Sequence, residues 1–352
     1  AININDISIM FIINNKKTTK ENNMNKLKKI GLTALAGSLV ATSVFAGEMA
    51  VTGSAGMSFG GADKGTSANG FSMTDEINFN GSGEMDNGWN VSVAMQLDAN
   101  ENGSSNNMDN RSITIDAGDM GTVVFAGHGG DSVVSAVDDV MPTAYGESWD
   151  IISNTVDTGG VTSTASTLFG AIGSATSNNM MRYDNSALMD GLKISVSYVP
   201  SGTGEVESST DYGVEYTGYD GLTVGVAMGE DNSGGKENNT DNDTMYVKYA
   251  YGPVTVGIQT SDIDASTAAA TDEFDALGIT YAVSDNLSIG YTESTYNAGD
   301  KTIDQENSNI SFSYTAGSMT IGGGFAEEGN RGGSSAAFDD VKGYELDISF
   351  AF

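Results

Sequence analysis

From residue 47 onward, apolar and polar residues alternate one by one, and no stretch sustains a helical period. Trp89, Val91, Val93, Met95 and Leu97 alternate with Asn90, Ser92, Ala94, Gln96 and Asp98. Leu192, Ile194, Val196 and Tyr198 alternate with Lys193, Ser195 and Ser197, and Leu222, Val224, Val226 and Met228 with Thr223, Gly225 and Ala227. The last run places Tyr344, Leu346, Ile348, Phe350 and Phe352 between Glu345, Asp347, Ser349 and Ala351. A period of two is the mark of a strand with one apolar and one polar face. The pattern predicts sixteen such strands and an all-β chain.

The connections separate into two kinds. Seven are short, such as Asp86-Asn87-Gly88, Met189-Asp190-Gly191, Tyr219-Asp220-Gly221 and Tyr251-Gly252-Pro253, where Gly or Asn supplies the positive φ of a hairpin. Eight are long and rich in Gly, Ser, Asn, Asp and Glu, near residues 60–71, 99–109, 129–179, 201–210, 230–243, 262–272, 297–306 and 327–340. Short and long connections follow one another strictly, so every long loop emerges on one side. A soluble sandwich has no reason to segregate loop length, whereas a transmembrane antiparallel β-barrel has short periplasmic turns and long outer loops. In such a barrel the apolar set faces lipid and the polar set faces inward, and sixteen strands enclose a space too wide for side chains to fill. Trp89, Tyr198, Tyr216, Tyr249, Tyr251, Tyr281, Tyr291 and Tyr314 recur at the ends of the apolar sets, as interfacial girdles require.

The start of the chain reads differently. Residues 1–23 are dominated by Ile, Asn, Lys and Thr, show no persistent period and are expected to be upstream or non-native sequence. Residues 24–46 hold a basic stretch (Lys26, Lys28, Lys29), an apolar stretch from Ile30 to Thr42, and Val44-Phe45-Ala46 with small residues at the −3 and −1 positions. That is the form of a secretory signal peptide, its apolar stretch too short to span a bilayer. Residues 47–352 are then the barrel domain.

Composition removes several classes of function. The chain carries 47 acidic and 15 basic residues, a net charge of −32, and discarding six Lys and two acids with residues 1–46 makes it −36. Such an excess argues against nucleic acid as a partner. There is no Cys, and His128 is the single histidine. Thiol chemistry is therefore excluded, and no Gly-x-Ser-x-Gly elbow accompanies His128. No enzymatic activity is expected. The mean hydropathy of −0.20 suggests a soluble protein, but it equally averages a lipid-facing band and a polar lumen.

The chain resembles the general bacterial outer-membrane porins of Gram-negative bacteria, particularly the acidic porins of alphaproteobacteria. The resemblance rests on the signal peptide, the first strand Glu48-Met49-Ala50-Val51-Thr52-Gly53 leading to Phe59-Gly60-Gly61, the sixteen alternating runs and the terminal Phe352. It implies an outer-membrane homotrimer for passive diffusion of small hydrophilic solutes, with lipid and lipopolysaccharide around it and a third loop folded into each pore. It also implies that Tyr344, Ile348, Phe350 and Phe352 form the signal read by the outer-membrane assembly machinery. A secreted acidic surface-layer or adhesin protein and a substrate-specific channel are the alternatives, the first disfavoured by the loop order and the terminal aromatics.

The third long loop, 129–179, carries Asp131, Asp138, Asp139, Glu147 and Asp150 and not one Lys or Arg. In a constriction these charges would focus their field on permeating ions. Its apolar members, Val133, Val134, Val137, Val140, Met141 and Trp149 among them, favour packing inside the barrel. Arg182, Lys193 and Lys248 have inward parity, as do Asp98, Asp116 and Glu215, whereas Arg111 shares parity with the outward Ile113 and Ile115. The balance predicts cation selectivity. No cofactor is required, although Asp138, Asp139, Asp241 and Asp243 offer hard oxygen ligands for Ca2+ or Mg2+ without matching the calcium-loop pattern.

Overall fold

A computed structural model describes residues 47–63, 70–98, 108–138, 140–151, 178–200, 207–232, 239–265, 271–299, 301–331, 333 and 340–352. The segments 1–23 and 24–46 lie outside the described residues, as does Asp139.

The chain forms sixteen strands: β1 (Glu48–Ala62), β2 (Gly70–Glu84), β3 (Asn90–Asp98), β4 (Met108–Asp116), β5 (Thr122–His128), β6 (Met180–Met189), β7 (Leu192–Val199) and β8 (Ser209–Tyr219) make the first half. The second half is β9 (Leu222–Asp231), β10 (Thr240–Tyr251), β11 (Val254–Ala265), β12 (Asp272–Ser284), β13 (Leu287–Asn297), β14 (Gln305–Ala316), β15 (Met319–Gly329) and β16 (Val341–Ala351). Each strand pairs antiparallel with its sequence neighbours, and β1 pairs with β16 to close the barrel. Phe352 and Gly53 exchange backbone hydrogen bonds at the seam, 2.8 and 2.9 Å. Closure leaves no sheet edge, the condition for a sheet to satisfy its backbone in hydrocarbon. The hairpin chemistry is as the sequence predicts: Gly88, Gly191, Gly221, Gly252 and Gly317 sit in the short turns with φ between 58 and 83°.

Parity divides the wall. On β8, Tyr212, Val214 and Tyr216 are exposed on the outer face while Asp211 is buried inside. Tyr249, Tyr251, Tyr281 and Tyr314 mark one end of the exposed apolar band, and Tyr198, Tyr212 and Tyr344 the other. At the outer ends of the second-half strands the expectation fails in two ways. The strands run further than the loop boundaries predict, so Asp241 and Asp243 lie on β10, Asp262 and Asp264 on β11, and Glu327 on β15. These acids also face outward, with the parity of Met245, Ile258 and Phe325. Pairing continues beyond the apolar band because a ladder satisfies backbone groups as well as water does, and the outward position is polar once hydrocarbon ends. The charge is therefore not confined to lumen and loops.

Candidate lumen and constriction

The described part of the third loop, residues 129–138 and 140–151, enters the barrel after β5 and runs along the inside of the wall. The Arg182 guanidinium on β6 donates to the carbonyls of Asp131 and Ser132 at 3.3 and 3.4 Å. The amide of Val133 donates to Ser197 Oγ on β7 at 3.0 Å, and that of Val134 to the buried Asp211 carboxylate on β8 at 3.2 Å. Gln259 on β11 donates to the Val137 carbonyl at 2.8 Å. Further on, Ser311 on β14 receives the Ala144 amide and Asn309 donates to the Gly146 carbonyl at 3.0 Å. The Tyr145 hydroxyl donates to Glu345 on β16; burial, reinforced by that carboxylate, holds its pKa well above the ordinary tyrosine value.

Packing completes the seat. Val133, Val134, Met141 and Trp149 from the loop form one core with Ala227, Tyr246, Phe274, Ala276 and Tyr296 from the wall. Trp149 meets Phe274 edge-on, ring centroids 5.2 Å apart. The wall makes room with glycines. A Cβ at Gly213 would lie 2.4 Å from Val133, one at Gly278 2.7 Å from the Pro142 carbonyl oxygen, and one at Gly322 2.4 Å from the Tyr145 ring. Sequence reasoning assigns apolar side chains on the strands to lipid and so misses Phe274 and Tyr296. The available signal is that each is apolar in the polar phase of its own strand.

The predicted pore residues take distinct places. Asp131 and Asp150 are exposed, Asp138 is half-buried, and Glu147 is buried, its amide donating to Asp150 Oδ2 at 2.7 Å. Arg182 and Lys193 converge on Asp184, at 3.0 and 3.9 Å. Glu215 accepts the Tyr246 hydroxyl at 2.5 Å, and Lys248 lies 5.4 Å from the centre of the Tyr246 ring. Asp116 receives the Gly118 amide and shapes the periplasmic turn; Asp98 is half-buried at the outer end of β3. Arg111 is exposed with the outward parity predicted.

Asp138 lies on the loop inside the barrel, and Asp241 and Asp243 on its outer face. Among the described residues no group of three or more His, Cys, Asp or Glu side chains is arranged to hold a metal ion. At the seam, Tyr344, Phe350 and Phe352 are exposed on the outer face with Ile348 in phase between them.

A closed sixteen-stranded barrel with a lipid-facing band, a polar inner wall and an inward loop is a transmembrane channel of the outer membrane. The model of the Gram-negative porins matches residues 31–333, and the chain belongs to that family. Solved structures share the architecture at low identity. The anion-selective porin from Comamonas acidovorans is 13% identical over 86% of this chain and 99% of its own, with a TM-score of 0.64. Salmonella typhi OmpF, in complex with daunomycin, is 14% identical over 87% and 98%, TM-score 0.62. A mutant of the Rh. blastica porin is 15% identical over 86% and 100%, TM-score 0.60. No curated protein matches the chain.

Proposed function

We propose that the channel is a homotrimeric general diffusion porin that favours cations and carries no enzymatic activity. The observation that supports this is the pairing of the lumen charges. Arg182 and Lys193 share the single carboxylate Asp184, while Asp131 and Asp150 on the loop, Glu76 on β2 and Glu345 and Asp347 on β16 face no Lys or Arg at ion-pair distance among the described residues. Glu76 is held instead by the Asn78 and Gln96 amides at 3.1 and 2.9 Å. A narrow passage with uncompensated carboxylates raises local cation concentration. The Comamonas porin is anion-selective, but at 13% identity the likeness extends to the barrel alone and carries no selectivity over. Tyr344, Ile348, Phe350 and Phe352 are read as the assembly signal, and lipopolysaccharide as the outer-leaflet neighbour of the exposed band.

Reversal potentials across planar bilayers in a KCl gradient test the reading. The expected permeability ratio of K+ to Cl− is well above one; a ratio below one overturns it.

A further inference from the structure

Among the described residues facing the lumen, Lys248 is the cation without a carboxylate at ion-pair distance. Arg182 and Lys193 are held by Asp184. The Lys248 ammonium lies 5.4 Å from the centre of the Tyr246 ring, whose hydroxyl is itself committed to Glu215. A Cβ at Gly257, directly across from Lys248 on β11, would come within 3.2 Å of Lys248 Cγ, so the missing side chain there leaves space for the lysine stem.

The same lysine borders a cavity of about 450 Å3 between the underside of the third loop and the wall of β9 to β12. Its roof is Val140, Met141 and Pro142 with Thr143, whose hydroxyl donates to the Gly146 carbonyl. Its wall carries the hydroxyls of Thr223, Thr255 and Thr280, of which Thr223 stands directly across from Lys248 and Thr255 across from Thr280. Glu147 also borders the cavity, but it is buried and already engaged by other groups. The space thus offers one free positive charge, neutral hydroxyl donors and an apolar cover.

We propose that this cavity is a binding site for small monocarboxylates with a compact apolar body, held by Lys248 beneath the third loop. The carboxylate would take charge-assisted hydrogen bonds from the lysine and neutral ones from the threonines, and the apolar body would lie under Val140, Met141 and Pro142. A single ammonium without a cluster of arginines or backbone amides suits a singly charged carboxylate better than a phosphate. A free amine finds no vacant carboxylate in the described lining. The inference rests on the barrel admitting solutes, and is independent of its overall ion preference.

Benzoate is a suitable probe, with benzyl alcohol and benzylammonium as neutral and cationic counterparts. In planar bilayers, benzoate at fixed KCl is expected to lower the mean conductance and add current noise, and benzyl alcohol to do neither. Lys248→Met should raise the half-saturating benzoate concentration about tenfold, the loss expected for one charged hydrogen bond, and Lys248→Arg should largely restore it. Saturation transfer from the detergent-refolded protein to benzoate reads the same site without any channel current. A protein that conducts KCl without responding to benzoate, or a response unchanged in Lys248→Met, overturns the site. Failure to conduct KCl would overturn the channel reading alone, and saturation transfer would still decide the carboxylate site.

Discussion

The glycines beneath the third loop give the most exposed test of how the constriction is held. At Gly278 on β12 an added Cβ would sit 2.7, 2.9 and 3.0 Å from the carbonyl oxygen, Cδ and nitrogen of Pro142. At Gly290 on β13 it would sit 2.8 Å from the Ala144 nitrogen and 2.9 Å from Ser311 Oγ. Comfortable carbon contacts need about 3.5–4.0 Å, so Gly278→Ala together with Gly290→Ala requires the loop to retreat by about 1 Å. Backbone atoms lie on the loop side of both contacts, so no flexible side-chain end can yield first. The wall is fixed in continuous ladders to β11, β12, β13 and β14, and the loop is what moves. The second substitution also displaces the hydrogen bond from the Ala144 amide to Ser311, now 3.3 Å. Overpacking of this kind costs roughly 1–3 kcal/mol per site. The two sites act on loop residues only two positions apart, so their sum is not expected to be additive.

The loop has one direction of retreat, away from the wall and toward the pore axis. The double variant should therefore show lower single-channel conductance and a smaller sugar cut-off in liposome swelling. Its heat-modifiable gel mobility should be unchanged, because the outer face and ladders are untouched. Gly81→Ala, where an added Cβ meets nothing within 4 Å, is the control and should conduct as wild type. A folded double variant with wild-type conductance and cut-off would refute the docking of the loop on this wall.

Two further outcomes follow from the same wall. Phe274 is 1% exposed and packs on Trp149; Phe274→Ala should cost about 3–5 kcal/mol of loop docking, visible as noisier open-channel current and a red-shifted tryptophan emission, and an unshifted emission would contradict it. On the outer face, Asp262 stands directly across from Asp243 on one side and Glu273 on the other. Directly opposed like charges destabilise by about 0.2–1 kcal/mol, so Asp262→Asn should raise the thermal midpoint at low ionic strength. The gain should shrink in high salt, and a lower midpoint at low salt would refute the assignment of these acids to paired, outward positions.

The barrel, its strand number and the side on which its long loops emerge were legible from alternation and turn chemistry alone. The inward packing of the third loop was legible in part, through its valines, Met141 and Trp149. Its seat was not, because Gly213, Gly278, Gly290 and Gly322 read locally as ordinary strand glycines, and only the loop lying on them shows what a side chain there would meet. The pairings of Asp184 and Glu215 were hidden for a similar reason. Arg182 and Asp184 are two residues apart and their proximity can be guessed, but Lys193 and Tyr246 reach these carboxylates from other strands.

The misplaced acids and the missed aromatics have one cause. Through the middle of the barrel the outer face is apolar and the inner face polar. At the outer ends of β12, β13 and β16 this reverses: Phe274, Tyr296 and Val341 are buried inside against the third-loop region, while Glu273 faces out, as do Asp243 and Glu327 on β10 and β15. The third loop supplies the inside of that segment with an apolar filling, and the outside has left hydrocarbon for polar surroundings. Where Phe274, Tyr296 and Val341 sit, the wall obeys the rules of a soluble barrel, with an apolar core inside. The period of two persists across the reversal, so periodicity alone cannot detect it; what changes is which phase carries the apolar residue. Phe274 between Glu273 and Asp275, followed by Leu277 and Ile279 in the opposite phase, is that change written within a single strand. The phase switch on β12 therefore marks two things at once: the upper limit of the lipid band outside and the level of the docked loop inside.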